Sequence, residues 1–260
     1  MIERVALGAA LAVAVAGVGW KARALTLSGA VVAAVMGTLA VAAGWRLAVL
    51  LILFFVASSA LTRVGAARKA ERVRGIVVKG GARDARQVVA NGGAFVVATL
   101  AVLVWPGEHW MVAAAGAIAA STADTWGTEI GTLARGTPRL VTTWRRVPAG
   151  TSGAVSAAGV LATVAGAAFI AFAAVLLGWS LAGSVAVFAG GLAGGAADSL
   201  LGATVQERRR CSACGLDTEQ HTHSCGTATQ HAGGLAWLEN DAVNLISSAV
   251  GAAVSASLSL

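Results

Sequence analysis

Apolar residues run through this chain in long blocks, and short polar connections separate them. A helix needs about 20 apolar residues to cross the hydrocarbon core of a bilayer. Blocks near that length occupy roughly 5–20, 24–44, 46–61, 88–105, 110–132, 153–177, 180–203 and 236–258. The pattern predicts an all-α fold, a polytopic transmembrane bundle of about eight spans, with residues 1–260 forming a single integral membrane domain. Gly and Ala dominate many blocks, which suits close helix packing in lipid. The first block, Ala6 to Trp20, has the look of a signal-peptide core. Glu3 offsets Arg4, however, and Lys21 and Arg23 follow the apolar run, so it reads as a retained anchor.

Composition agrees with that pattern. Hydrophobic residues make up 57% of the 260 and charged ones 12%, where soluble domains spend about 25% on charge. The charges that remain are unevenly placed. Lys21 and Arg23 sit in one connection, and three longer loops at about 62–87, 133–152 and 206–235 hold most of the rest. These carry Arg63, Arg68, Lys69, Arg72, Arg74, Lys79, Arg83 and Arg86, then Arg135, Arg139, Arg145 and Arg146, then Arg208, Arg209 and Arg210. The alternate connections hold Arg46 as their one arginine or lysine, beside short turns such as Pro106-Gly107-Glu108-His109. The positive-inside rule makes the basic side cytoplasmic, in a multi-pass protein of the cell membrane with both termini outside. The net charge of +7 therefore sets topology and meets anionic lipid or phosphate. The chain contains nothing like a nucleic-acid module, so no nucleic-acid partner is expected.

Polar residues inside the blocks carry the candidate chemistry. In the fifth block Ser121, Asp124, Thr125, Thr128, Glu129 and Thr132 share an arc of about 140° on a helix. Carboxylates on a membrane helix are costly unless they face a protein interior or a cavity, so function is one reading and an interhelical hydrogen-bond network the other. In the seventh block Gly191, Gly194, Gly195, Asp198, Gly202 and Gln206 share a face that serves either tight packing or a ligand groove. Ala123-Asp124-Thr125 and Ala197-Asp198-Ser199 echo each other, compatible with a weak internal repeat. The eighth block opens with Asp241, Asn244 and Ser248 on one face, although an Asp there also complements the helix dipole. Gln87 and Asn91 start the fourth block, and Ser58, Ser59 and Thr62 end the third. Polar groups from five blocks thus converge on the basic side.

Two loops add to this. Arg145 and Arg146 precede Gly150-Thr151-Ser152-Gly153, a Gly/Thr/Ser run that feeds the sixth block and offers backbone N–H groups to an anion, or simply caps a helix. Beside carboxylates able to hold Mg²⁺ together with substrate oxygens, phosphate handling is the natural reading. The last loop holds all three cysteines: Cys211, Cys214 and Cys225 with His223 form a Cys₃His set for structural Zn²⁺, with His221 as an alternative nitrogen ligand. Reduced thiols beside incidental histidines are the plainer alternative.

Taken in order, these motifs resemble a family of integral membrane proteins that includes the plant and cyanobacterial phytyl-phosphate kinases. The likeness rests on Gln87-Val88-Val89-Ala90-Asn91-Gly92-Gly93, on Ala123-Asp124-Thr125-Trp126-Gly127-Thr128-Glu129-Ile130-Gly131, and on the stretch from Val147-Pro148-Ala149-Gly150 to Ser156. It continues through Asp198-Ser199-Leu200-Leu201-Gly202-Ala203, the Cys/His loop and Asn240-Asp241-Ala242-Val243-Asn244. That family is distantly similar to the CTP-dependent phytol and dolichol kinases and the lipid cytidylyltransferases. The resemblance implies phosphoryl transfer from CTP or ATP to an isoprenoid lipid, in particular a prenyl monophosphate of phytyl type. Asp124, Glu129 and Asp198 would then hold Mg²⁺, with Asp241 as a fourth catalytic carboxylate. Arg145, Arg146 and the Gly150–Gly153 loop would bind nucleotide phosphates, and Asn91 and Asn244 would orient the substrate. A transporter or a structural membrane protein is the competing expectation; a transporter would carry a site near the midplane, open to both faces.

Overall fold

The computed structural model describes residues 2–76 and 81–260, with side chains from residue 5 onward; Lys79 lies outside the described residues. Its helices are α1 (Ile2–Lys21), α2 (Leu27–Ala43), α3 (Trp45–Arg63), α4 (Ala66–Arg72), α5 (Ala85–Val104), α6 (Glu108–Leu133), α7 (Ala157–Leu176), α8 (Leu181–Thr204) and α9 (Asn240–Ser257). All but the short α4 match the eight apolar blocks, and the chain is a helical integral membrane bundle. By length and composition alone, α3, α5, α7 and α8 suffice to cross a membrane, while α1 and α2 give shorter apolar stretches. Polar residues toward one end dilute α6 and α9.

Local chemistry sets where several helices begin. Asp84 and Gln87 form a reciprocal capping box at the start of α5, satisfying two backbone N–H groups that would otherwise be orphaned. Thr26, Ser156 and Ser180 cap α2, α7 and α8 by accepting from the backbone N–H three residues on.

Helix α6 is the axis of the bundle. Every residue from Val112 to Ala123 is buried, as expected for a helix apolar all round, and α6 packs against α3, α5, α7, α8 and α9. Small residues make that possible. A Cβ added at Gly116 or at Gly190 would lie 2.0 Å from Ser255 Oγ, so α6, α8 and α9 meet backbone to backbone. The α1–α2 hairpin packs through α2 onto α3 and α5.

The basic connections gather at one end of this bundle. Arg63 donates to the Ala22 carbonyl at 2.6 Å, and Arg72 donates to those of Ala134 at 2.5 Å and Gly136 at 3.0 Å. The Glu219 N–H donates to the Ile76 carbonyl at 2.9 Å. Two of these loops carry short strands, which the all-α reading did not include. β1 (Arg139–Leu140) pairs antiparallel with β2 (Ala154–Val155), and β3 (Arg208–Cys211) lies between β4 (Asp217–Thr218) and β5 (Thr229–Gly233). Strands of two to five residues are too short for alternation to show in the sequence, and β3 reads Arg-Arg-Arg-Cys.

Candidate functional site

A cavity of about 1190 Å³ occupies the polar end, walled by α3 to α9 and the loops that join them. Asp124, Glu129, Asp198 and Asp241 all line it, as do Asn91, Asn244 and the stretch Gly150–Gly153. One cavity therefore collects candidates spread over more than 150 positions of sequence. Within it they form two separate centres.

The first centre is a carboxyl pair. Asp124 of α6 and Asp198 of α8 hydrogen-bond to each other, and the Ser247 hydroxyl of α9 donates to Asp198 Oδ2 at 3.4 Å. Glu219, just past β4, is near enough for its charge to act on Asp198. Two facing carboxyls cannot both stay ionised without a proton or a cation between them. The donors are hard oxygens from separate rigid helices, a set that fits Mg²⁺. Glu219 itself accepts from the Ser152 hydroxyl and from Gln206 Nε2 at 2.9 Å. Burial raises its pKa above the ordinary glutamate range, with the Ser152 and Gln206 hydrogen bonds pulling the other way.

The second centre surrounds Glu129, and here the expected metal set divides. Asp124 and Glu129 mark the two edges of the polar arc of α6, so one faces α8 and the other faces α3 and α4. Glu129 accepts from the Thr62 hydroxyl at 2.6 Å and forms an ion pair with Lys69. Lys69 also donates to the Leu61 and Thr62 carbonyls, at 2.9 and 2.7 Å, and so closes the C-terminal end of α3. Both oxygens of Glu129 are therefore engaged away from the Asp124–Asp198 pair. Next to it the Arg83 guanidinium donates to Ser59 Oγ at 3.0 Å and to Thr62 Oγ1 at 3.3 Å. Burial lowers the pKa of Arg83 and the charge of Glu129 opposes that shift.

The remaining candidates fall into place around these centres. Asn91 Nδ2 donates to the Gln87 carbonyl at 3.0 Å, and Asp241 lies 3.9 Å from Arg86 Nε. Gly150 and Gly153 adopt left-handed φ of 88° and 72°. Gly153 also presses on the end of α8, where an added Cβ would sit 2.2 Å from the Ala203 backbone nitrogen. Strand β2 and the cap Ser156 separate this loop from α7, so it does not feed the helix start directly. Arg145 and Arg146 are exposed and do not line the cavity. The hairpin closed by β1 and β2 turns them outward, and among the described residues Arg23, Arg63, Lys69 and Arg83 are the arginines and lysines on the wall instead.

Beside the cavity, Cys211, Cys214, His223 and Cys225 place their ligand atoms within 4.8 Å of one another. Cys211 Sγ lies 3.6 Å from Cys225 Sγ, and His223 Nδ1 lies 3.2 Å from the same sulfur. Three thiols and an imidazole are a fitting set for tetrahedral zinc. The alternative nitrogen, His221, turns away and meets Glu239 Oε1 at 3.1 Å. The loop closed by the Cys₃His set carries Glu219 to the carboxyl pair. From sequence, Lys69 and Arg83 read only as basic loop residues that set topology, and Glu219 did not stand out. The position of Glu219 between Cys214 and His223 was the signal available, because residues between metal ligands are held in place.

The chain matches a family described as Integral membrane protein DUF92 over residues 10–252. It is 32% identical to Protein PGR of Arabidopsis thaliana over 88% of this chain and 86% of that protein. It is 34% identical to an uncharacterised membrane protein of Methanocaldococcus jannaschii over 72% of this chain and 77% of the relative. No solved structure matches the chain.

Proposed function

The chain belongs to the DUF92 family of integral membrane proteins, and on that premise we propose that it transfers the terminal phosphoryl group of CTP or ATP to an isoprenoid lipid. The acceptor is a prenyl monophosphate of phytyl type, and the product is its diphosphate. The observation that carries this reading is the Asp124–Asp198 carboxyl pair at the wall of a cavity of about 1190 Å³. That volume exceeds the roughly 300–1,000 Å³ usual for a single small ligand, leaving room for a nucleotide and a lipid head group together. The gathering of arginine-rich connections at this end supports a cytoplasmic cavity in the cell membrane.

An oxygen of the lipid monophosphate attacks the terminal phosphorus of the nucleotide. A new P–O bond forms, the bond to the bridging oxygen breaks, and the nucleoside diphosphate leaves with that electron pair. The attacking group is already an anion, so positioning and charge neutralisation supply most of the rate. Mg²⁺ held by Asp124 and Asp198, with Glu219 beside them, would neutralise the phosphate oxygens. Asn91, Asn244 and Asp241 orient the acceptor and its approach, while Arg83 offsets the negative charge of the phosphates. Backbone N–H groups of Gly150–Gly153 approach the nucleotide phosphates. Zinc on Cys211, Cys214, His223 and Cys225 would fix the loop that presents Glu219. The candidate carboxylates gather in one cavity at the basic end of the bundle, whereas a transport site would lie near the midplane with access from both faces.

Purified protein, Mg²⁺, each nucleotide and a panel of prenyl alcohols and monophosphates test the proposal. Nucleotide binding that requires Mg²⁺, with diphosphate formed from a monophosphate, is the expected outcome. Protein that binds neither nucleotide and phosphorylates no member of the panel would sink the kinase reading and favour transport.

A further inference from the structure

A second cavity lies in the other half of the molecule. It encloses about 380 Å³ between α1, α2, α3 and α5 and is almost entirely aliphatic and aromatic. Three residues of its wall, Arg83, Gln87 and Asn91, also line the polar cavity, so the two spaces meet there. From Ser58 beside that junction to Trp45 at its far end, the groove follows α3 for about 20 Å at 1.5 Å per residue. This is roughly two-thirds of the hydrocarbon depth of a bilayer. Leu7, Leu11 and Ile52 on its walls are exposed on the lipid-facing surface.

We infer that this groove takes the hydrocarbon chain of the acceptor lipid, entering sideways from the bilayer with its phosphate at Arg83. The assignment rests on the phosphotransfer reading for the identity of the lipid. Two features choose a single-chain anionic lipid over other occupants. A space near the lower end of the small-ligand range holds one chain rather than two. The charge at the junction is a guanidinium whose hydrogen bonds go to the neutral hydroxyls of Ser59 and Thr62, while the neighbouring Glu129 is already paired with Lys69, and a lipid phosphate would complement it. Asn91 and Gln87 border the same junction, where a head group passes from groove to cavity. A chain leaving the bilayer for this groove gains little from hydrophobic burial, since both surroundings are apolar. Shape therefore does the selecting, and filling the groove should exclude the chain.

Geranylgeranyl monophosphate with a diazirine at the end of its chain is the probe. After illumination, peptide mapping should find label on α1, α2 or α3 residues of the groove, and unmodified geranylgeranyl monophosphate should suppress it. Ala33→Phe, which fills the groove near Phe55 and Val88, should abolish this labelling and lower kcat/KM for the prenyl phosphate by about tenfold or more, with nucleotide binding unchanged. Val15→Trp fills the same space from α1 and serves if Ala33→Phe does not fold; Val97→Phe, on an exposed face of α5, is the neutral control. Label on α7 or α8, or unaltered labelling and turnover in both filled variants, overturns the groove assignment. Groove labelling in protein that transfers no phosphate keeps the lipid site and sinks the kinase instead.

Discussion

Asp124 and Glu129 stand five positions apart on α6, about 140° of rotation, and that spacing decides which neighbour each meets. Helical periodicity made the shared polar face legible from sequence. It could not tell that the face is wide enough to serve two partners, with Asp198 at one edge and Lys69 at the other. Glu219 was only half legible: its place between Cys214 and His223 shows that it is held, but nothing local says that the tertiary fold buries its carboxylate. That burial has a consequence for pH. Glu219 has its folded pKa raised above its unfolded value, so its protonated form is the one the fold favours. Its contribution to stability is fully present below the unfolded pKa and is lost as pH rises through the folded pKa. Glu219→Gln keeps an oxygen to accept from Ser152 and Gln206 but cannot ionise. Thermal unfolding in Mg²⁺-free detergent should show wild type losing stability relative to this variant as pH rises from about 4 to 8. A variant that is the less stable of the two at pH 8 would refute the burial argument.

At the scale of elements, the eight long helices were readable because lipid forces long apolar runs and leaves few alternatives. The β3–β4–β5 sheet was not, since its strands are short and polar and alternation cannot show over so few residues. The cysteine spacing suggested a Cys₃His set, and the fold brings Cys211, Cys214, His223 and Cys225 together while His221 turns to Glu239. If zinc holds this sheet, detergent-purified protein should contain about one zinc per chain. Cys211→Ser or Cys214→Ser should lose it, with Tm falling by roughly 5 °C or more and turnover falling as Glu219 is displaced. Metal analysis and thermal unfolding check both parts. Metal-free protein with full stability and full turnover would remove the sheet from the account.

For the whole molecule, the convergence of loops on one end was legible in the alternation of basic and charge-poor connections. The division of that end into a polar cavity and an apolar groove was not, because it depends on how α1 and α2 lean on α3 and α5. The proposed lipid phosphotransfer is centred on two aspartates that two parallel helices bring together. Asp198→Asn and Asp124→Asn remove charge at that centre while nearly keeping shape, so the bundle should fold. The most direct measurement follows the terminal phosphoryl label of the nucleotide into prenyl diphosphate, with Mg²⁺, in wild type and in both variants. Transfer by wild type, with a loss of about 100-fold or more in each folded variant, is the expected result. Folded variants that transfer the label at near wild-type rates with saturating nucleotide would contradict it.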